Sequence, residues 1–344
     1  MKKIVLLIVF ILLLGGCYDY TEIEDLSLIT GMIIDYKDNL FKVTTQTIEN
    51  QDKTTIKQYT TTCNTIDECI YKISEYSNKD IFISHLKTLI LTENTITSNN
   101  DFYDYFLRET KSKMNFHVYF IENKYIDDLI DLYKNENNSL YLQDLIKFNQ
   151  KQYSSSIELY FLDYIQKKYE YGITPLYPTI SIKDNNIYLD KLVAFNGKDI
   201  VELNNDEGVY YNILVNNINK TLVDLPCDRN NYSIEIDNSK TNYDYKKNTL
   251  NIAITLKGTI SSYNCNFKID KKDNLKKLSI ITNNNIKKRL DDLIQKSKDN
   301  NTDFIGLSSY IYKHSKRKIN IKDITTNIKV NTIIESLGEV KNEF

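Results

Sequence analysis

The residues best suited to covalent chemistry lie near the N-terminus, where Leu14, Gly15 and Gly16 precede Cys17. In exported bacterial proteins, an aliphatic residue and two small residues let a peptidase reach the bond before a cysteine whose thiol carries diacylglycerol. This spacing predicts that Leu14, Gly15 and Gly16 form the peptidase recognition site and that lipidated Cys17 begins the mature chain. We predict no cofactor other than the covalent diacylglycerol.

The stretch before Cys17 must bring that thiol to a membrane. Lys2 and Lys3 precede an apolar run over residues 4–14, which is the layout of a secretory signal peptide. The run has about 11 residues, whereas a helix needs about 20 to cross the hydrocarbon core of a bilayer. An ordinary signal peptide with a chance cysteine at the cleavage site is the alternative. We predict a signal peptide over residues 1–16 and, through two acyl chains, stable membrane anchoring.

Catalytic chemistry has weak support in this sequence. We predict His85 and His117 in apolar strands and His314 on a helix, where a lone histidine is more often a packed or solvated residue than a catalyst. The sequence contains no G-x-S-x-G, no G-x-x-x-x-G-K-[ST] and no H-E-x-x-H motif. Adjacent carboxylates, as at residues 127–128 and 291–292, do not converge on one substrate from a helix. We therefore predict a protein that is not an enzyme, with no catalytic residues and no metal site.

Four further cysteines could form disulfides. Cys63 with Cys69 and Cys227 with Cys265 are the pairs closest in sequence, and an even count in an exported chain permits both bridges. Cys69 also lies on an apolar helical face, where a buried free thiol is common. Both alternatives stay open from the sequence. The spacing offers no C-x-x-C pair for zinc.

Composition narrows the class of partner. The chain has 44 basic and 46 acidic residues, for a net charge of −2, so we predict no binding to nucleic acid. One basic cluster, Lys313, Lys316, Arg317 and Lys318, indicates a solvated face, with contact to anionic lipid as the alternative. At 41% hydrophobic and 12% aromatic residues, the chain can bury cores.

The pattern of apolar residues predicts an α+β protein with three consecutive domains, each a mixed or antiparallel sheet with packed helices. Strands and helices alternate over residues 17–148, and a capping box at 65–68 indicates the first helix. The pattern over residues 149–216 predicts a small β-rich middle domain. In this domain we expect a strand over 209–215 and a helix that begins at a second capping box, 155–158. Residues 217–344 predict long strands, a long helix, a second helix over 304–314 and closing strand structure over 319–334.

Several motifs together resemble one protein family. Residues 17–23 read C-Y-D-Y-T-E-I and residues 25–31 read D-L-S-L-I-T-G, followed by Ile34 and Asp35. These stretches resemble the opening of the Ger(x)C family, the C-subunit lipoproteins of spore germinant receptors. Three further stretches are similar to family motifs in the same order, at residues 85–91, 192–198 and 303–307.

This sequence departs from the family pattern at three places. Tyr18 replaces the usual tryptophan, and Ile33 replaces a common glycine. The segment after His314 is shorter than is typical and lacks a basic-aromatic stretch, which puts a partner contact there in doubt.

The resemblance implies three α+β domains on the outer face of the inner spore membrane, assembled with integral-membrane A and B subunits that bind the germinant. The chain would support receptor assembly and nutrient-triggered germination. A solute-binding lipoprotein that delivers a small molecule to a permease is the second hypothesis; it would need two lobes with strands interlaced between them. As residues that contact partners we predict aromatic and anchor-proximal positions, namely Tyr18, Asp19, Phe304, Tyr310 and Tyr312.

Overall fold

The structure, a computed structural model, describes residues 25–50, 54–98, 101–134, 136–227, 229–267, 269 and 272–334. The predicted signal peptide and several predicted site residues lie outside these ranges, namely Leu14, Gly15, Gly16, Cys17, Tyr18 and Asp19. The predictions at those positions therefore stay predictions.

Nine strands form the first sheet. They are β1 (Leu26–Lys37), β2 (Leu40–Asn50), β3 (Thr54–Cys63), β4 (Asp80–Phe82), β5 (Thr88–Thr92), β6 (His117–Ile121), β7 (Leu176–Lys183), β8 (Asn186–Asn196) and β9 (Asp199–Asn204). The order is β3-β2-β1-β5-β6-β7-β8-β9, and β4 pairs with β1. The central strands β1, β5, β6 and β7 are parallel, while β3-β2-β1 and β7-β8-β9 are antiparallel meanders. The sheet is therefore mixed.

Local chemistry explains the strands that the sequence predicts best. Every residue of β5 and β6 is buried, as expected of central parallel strands covered on both faces. The turn between β1 and β2 places Asp38 and Asn39 at φ of 53° and 62°. Both residue types tolerate the left-handed region, and two such residues make the tight turn that suits a hairpin.

Six helices cover the first sheet. They are α1 (Ile66–Ser77), α2 (Glu93–Thr97), α3 (Phe102–Arg108), α4 (Ile126–Leu132), α5 (Asn138–Gln152) and α6 (Phe161–Tyr169). Residues of α1, α3 and α6 pack against the face that carries Leu89 and Phe120. Residues of α4 and α5 pack against the opposite face, which carries Ile90 and Tyr119. This alternation along each strand puts an apolar core on both sides of the sheet.

A second, four-stranded sheet follows. Its strands are β10 (Thr221–Cys227), β11 (Asn230–Lys246), β12 (Thr249–Tyr263) and β13 (Thr325–Ile334), in the order β10-β11-β12-β13. The pairing of β13 with β12 is parallel, and the other pairings are antiparallel. Three helices accompany this sheet, namely α7 (Asn205–Leu214), α8 (Lys272–Asp299) and α9 (Leu307–Ser315). Short 3₁₀ turns occupy Ile83–His85, Asn123–Tyr125 and Ile321–Asp323.

One apolar core joins the end of the first sheet to the second. Leu192 and Leu203 of β8 and β9 share a buried cluster with Ile213 of α7, Ile252 of β12 and Leu290 of α8. The strands predicted for the middle domain, β7, β8 and β9, therefore continue the first sheet. Residues of β8 and β9 also pack against the C-terminal half of the chain. The α+β class, with mixed sheets and packed helices, is confirmed, and the domain boundaries at 148/149 and 216/217 stay predictions.

Two predictions for the middle part of the chain were wrong. Residues 209–215, expected as a strand, belong largely to α7, whose N-cap Asn204 accepts from Glu207 N at 2.9 Å while the Glu207 carboxylate accepts from Asn204 N. The helix expected to begin at the 155–158 capping box begins at Phe161 instead. Asn149 Oδ1 accepts from Ser156 N, and Leu159 O accepts from Val118 N, so this stretch stays extended beside β6.

Both cysteine pairs are disulfide-bonded in the structure. Cys63 and Cys69 lie 5.5 Å apart at Cα and join the end of β3 to the first turn of α1. Cys227 and Cys265 lie 5.7 Å apart and join the end of β10 to the segment after β12. Both separations fall in the usual range for disulfides. The bridged alternative therefore holds over the buried free thiol.

Leu89→Ala tests the packing of β5. Leu89 is fully buried, so truncation removes apolar contacts and leaves a cavity, and we expect the free energy of unfolding to fall by about 2–5 kcal/mol. Chemical denaturation of the chain from residue 17 onward measures the loss. Leu222 is 52% exposed, and Leu222→Ala is the control, with an expected change below about 0.5 kcal/mol. Equal midpoints for Leu89→Ala and the unsubstituted chain would contradict the burial of β5.

Candidate interaction site around helix α9

Helix α9 begins at a buried carboxylate. Asp303 accepts hydrogen bonds from the N–H groups of Gly306 at 2.7 Å, Leu307 at 3.0 Å and Ser308 at 2.7 Å. These are donors that the first turn of a helix leaves without a partner inside the helix. Burial raises the pKa of Asp303 above its ordinary value, while the three N–H donors oppose that shift. The carboxylate thus fixes where α9 starts.

The segment over residues 170–174, which leads into β7, lies directly against the start of α9. Thr174 N donates to Asp303 O at 2.8 Å, and Ser309 N donates to Gly172 O at 3.0 Å. Gly172 has φ +74°, and a Cβ there would lie 2.6 Å from Ser308 Cβ and 2.7 Å from Ser309 N. Both the backbone conformation and the close approach therefore require glycine.

An ion pair closes the same contact at its rim. Lys313 Nζ lies 2.6 Å from Glu170 Oε1, and the Ser309 hydroxyl donates to the same oxygen. Burial alone would raise the pKa of Glu170, but Lys313 and Ser309 outweigh it and hold that pKa below its ordinary value. Glu170 is therefore a charged partner for α9.

The structure separates the three aromatic residues that were expected here to contact partners. Phe304 is 1% exposed and lies in the core, so its side chain is not accessible, and the expectation for Phe304 is corrected. Tyr310 donates to Tyr243 O at 2.6 Å and stacks on His314 with centroids 4.0 Å apart. Its ring is thus engaged within the chain. Tyr312 is half-buried, as is Tyr310, but its ring contacts Tyr171 rather than the second sheet.

Tyr312 belongs to a surface that we call the aromatic–basic patch, formed by Tyr171, Tyr312, Lys316, Arg317 and Lys318. The rings of Tyr171 and Tyr312 meet edge to face with centroids 5.2 Å apart. Lys318 Nζ lies 5.3 Å from the Tyr171 centroid and 5.9 Å from the Tyr312 centroid. Cations at such distances are attracted to the ring face. The patch is therefore a preformed surface of aromatic and positive groups.

A shallow cleft of about 210 Å³ adjoins the patch. Its lining is largely polar and includes Tyr171, Gly172, Asn301, Asp303, Ser308 and Asn320. Sites for small molecules usually measure about 300–1,000 Å³ and are mostly apolar. The cleft does not have those features.

The histidines lie in three separate places. His117 is fully buried, with Nε2 3.1 Å from Glu158 Oε2 and its ring 4.4 Å from the Tyr160 ring. His85 ends a 3₁₀ turn rather than lying in a strand, and burial lowers its pKa. His314 Nδ1 lies 2.8 Å from Tyr310 O. Within the described ranges, no three metal-ligating side chains converge. No described helix is long and apolar enough to span a bilayer.

Comparison with known proteins assigns the family. The model for the spore germination protein N-terminal domain matches residues 19–182. The model described as spore germination B3/GerAC like, C-terminal, matches residues 190–338. The chain therefore belongs to the Ger(x)C family of germinant receptor C subunits, as the sequence motifs predict. The two matches meet near the turn between β7 and β8, inside the first sheet.

A solved structure has the same fold. The crystal structure of the GerBC protein superposes with a TM-score of 0.57 at 15% sequence identity, covering 92% of this chain and 100% of that chain. No curated protein sequence matches this chain.

Sequence reasoning did not single out Tyr171 or Gly172. The local sequence does indicate a turn at this position, because a glycine lies between Tyr171 and Ile173, shortly before Pro175. Nothing in that turn points to α9, because the contact joins segments far apart in sequence.

Gly172→Ala tests the contact between residues 170–174 and α9. The added Cβ would clash with Ser308 and Ser309, so we expect a loss of several kcal/mol in the free energy of unfolding. Gly197→Ala is the matched control, because Gly197 also has positive φ, +63°, but a Cβ there meets nothing within 4 Å. It should lose about 1 kcal/mol, the cost of the conformation alone. Equal losses in denaturant titrations of both variants would contradict the close packing at Gly172.

Proposed function

We propose that this chain is the lipid-anchored C subunit of a spore germinant receptor, which supports receptor assembly and nutrient-triggered germination through contacts with integral-membrane A and B subunits. The observation that carries the proposal is the pair of family matches, which together span residues 19–182 and 190–338. Its location would be the outer face of the inner spore membrane, with diacylglycerol at Cys17 as the anchor.

The geometry of the described residues supports action through partners rather than through a ligand pocket. The first sheet uses residues 26–204 and the second uses residues 221–334, so each is built from one continuous part of the chain. A solute-binding lipoprotein would interlace strands between two lobes. Three clefts among the described residues, of about 110, 210 and 230 Å³, are also smaller than typical ligand sites. Both features disfavour the permease-delivery alternative.

On α9, Tyr312 is the residue that we propose as a partner contact. Its ring is accessible, and tyrosine is enriched at the energetic centres of interfaces. Tyr310 supports it from below through its hydrogen bond to Tyr243 O. The anchor-proximal residues Tyr18 and Asp19 remain part of the proposal.

Cys17→Ala should abolish acylation of the chain. The four other cysteines are paired in disulfides, so Cys17 is the thiol left to accept diacylglycerol. Metabolic labelling with a radioactive fatty acid, followed by isolation of the chain, measures this. The double variant Cys227→Ala and Cys265→Ala should keep its label. Equal labelling of the Cys17 variant and the unsubstituted chain would refute the anchor.

Affinity isolation of the complete lipidated chain should recover two integral-membrane subunits, because a stable interface of about 1,200–2,000 Å² survives mild detergent. In parallel, titration calorimetry of the chain with amino acids and sugars should give affinities in the millimolar range or weaker. Micromolar binding of one of these solutes, with no membrane subunit recovered, would favour the solute-binding alternative instead.

A further inference from the structure

The aromatic–basic patch carries positive charge that no ion pair between described residues neutralises. Lys316, Arg317 and Lys318 are exposed, and among the described residues none of them forms an ion pair. Two carboxylates in this part of the fold are already engaged: Glu170 pairs with Lys313, and Asp303 accepts from backbone N–H groups. The patch therefore presents three cations and two tyrosine rings to its surroundings.

The position of the patch follows from strand direction. Strands β1, β5, β6 and β7 are parallel, so the N-terminal ends of all four lie at the same end of the first sheet. Tyr171 lies just before β7, whereas the chain leading back to Cys17 enters the fold at β1. These two strands are three strand spacings apart, about 14 Å. The patch therefore lies at the same end of the central strands as the start of β1.

The reach of that segment is limited. Cys17 precedes Leu26 by roughly nine residues, which span at most about 30 Å when fully extended. An acyl group at Cys17 would consequently keep the N-terminal end of β1, and the end of the sheet to which it belongs, close to the membrane surface. The patch on that side would meet the lipid headgroups.

We propose that the aromatic–basic patch binds the headgroups of anionic phospholipids and forms a second membrane contact beside the acyl anchor. The proposal rests on the proposed anchoring at Cys17 for the orientation of the chain. Lysine and arginine side chains are attracted to an anionic membrane surface, and tyrosine rings favour the depth of the headgroups. The chemistry of the patch matches both preferences.

The charge of the rest of the chain makes this contact directional. The whole chain has a net charge of −2, so the surface outside the patch is negative on balance. An anionic membrane repels that surface and attracts the patch. One acyl anchor leaves a protein free to rotate about its tether, whereas a second contact fixes which face points toward the membrane.

Vesicle flotation tests the proposal with the mature chain, residues 17–344, carrying Cys17→Ala so that no acyl group contributes. The chain should bind vesicles of phosphatidylcholine mixed with phosphatidylglycerol and should not bind phosphatidylcholine alone. Each basic residue near an anionic surface strengthens binding about fivefold, so K316E with K318E should weaken it by at least about 25-fold. Salt at about 1 M, where the Debye length is about 3 Å, should release the chain.

The matched control reverses two charges at the opposite end of the central strands of the same sheet. Lys37 ends β1 and Lys183 ends β7, and both are exposed. K37E with K183E makes the same change in net charge and should bind almost as well as the unsubstituted chain. Tyr312→Ala should weaken binding by a smaller factor, because it removes a ring but no charge. Unchanged thermal unfolding of each variant shows that the fold is kept.

Three results would overturn the proposal. The first is no binding of the Cys17→Ala chain to anionic vesicles, and the second is an equal loss in both double variants. The third is recovery of the membrane subunits that depends on Lys316 and Lys318 while vesicle binding does not, which would make the patch a protein contact. Because the assay uses a chain without lipid, its failure is distinct from the absence of acyl label at Cys17.

Discussion

The carboxylate of Asp303 is the interaction on which the junction between the two halves depends. Its oxygens hold the first turn of α9, while its backbone carbonyl accepts from Thr174 in the segment that enters β7. One buried residue thus fixes the start of a helix in the C-terminal half and the approach to a strand in the first sheet. Tyr171 and Tyr312 meet because both are attached to these two segments. Buried carboxylates are costly unless donors surround them, which makes this arrangement specific.

The sequence predicted secondary structure correctly where a local pattern, such as an apolar run or an N-cap residue, determines the element. The apolar runs at β5 and β6 predicted central strands, and Thr65 predicted the start of α1, where its side chain accepts from Glu68 N at 3.2 Å. The apolar pattern did not predict helix α7, because residues 208–214 are all buried and no polar face marks a helical period. Its signal was the capping pair Asn204 and Glu207, which follows β9 directly.

The site was less predictable, because residue type does not report burial. Phe304, Tyr310 and Tyr312 look equivalent as aromatic residues near one helix. The first is buried in the core, whereas the other two are half-buried, Tyr310 against Tyr243 and Tyr312 against Tyr171. The family motif at residues 25–31 was recognised in the sequence, but only the structure gives the physical reason for its glycine. Gly31 ends that motif, and a Cβ there would lie 2.0 Å from Ser139 Oγ, so the motif glycine permits α5 to pack on β1.

Helix α8 has a mechanical consequence. Its 28 residues form a rod about 42 Å long. Near its middle, Thr282 bonds Tyr232 of the second sheet at 2.9 Å, and near its C-terminus, Lys296 pairs with Glu207 of α7 at 2.7 Å. Asn196 of β8 also donates to Asn300 O just past its end. A helix held at its middle by the second sheet and at its C-terminal end by α7 and β8 is a stiff lever, so a displacement of the second sheet reaches the first sheet as a rigid tilt.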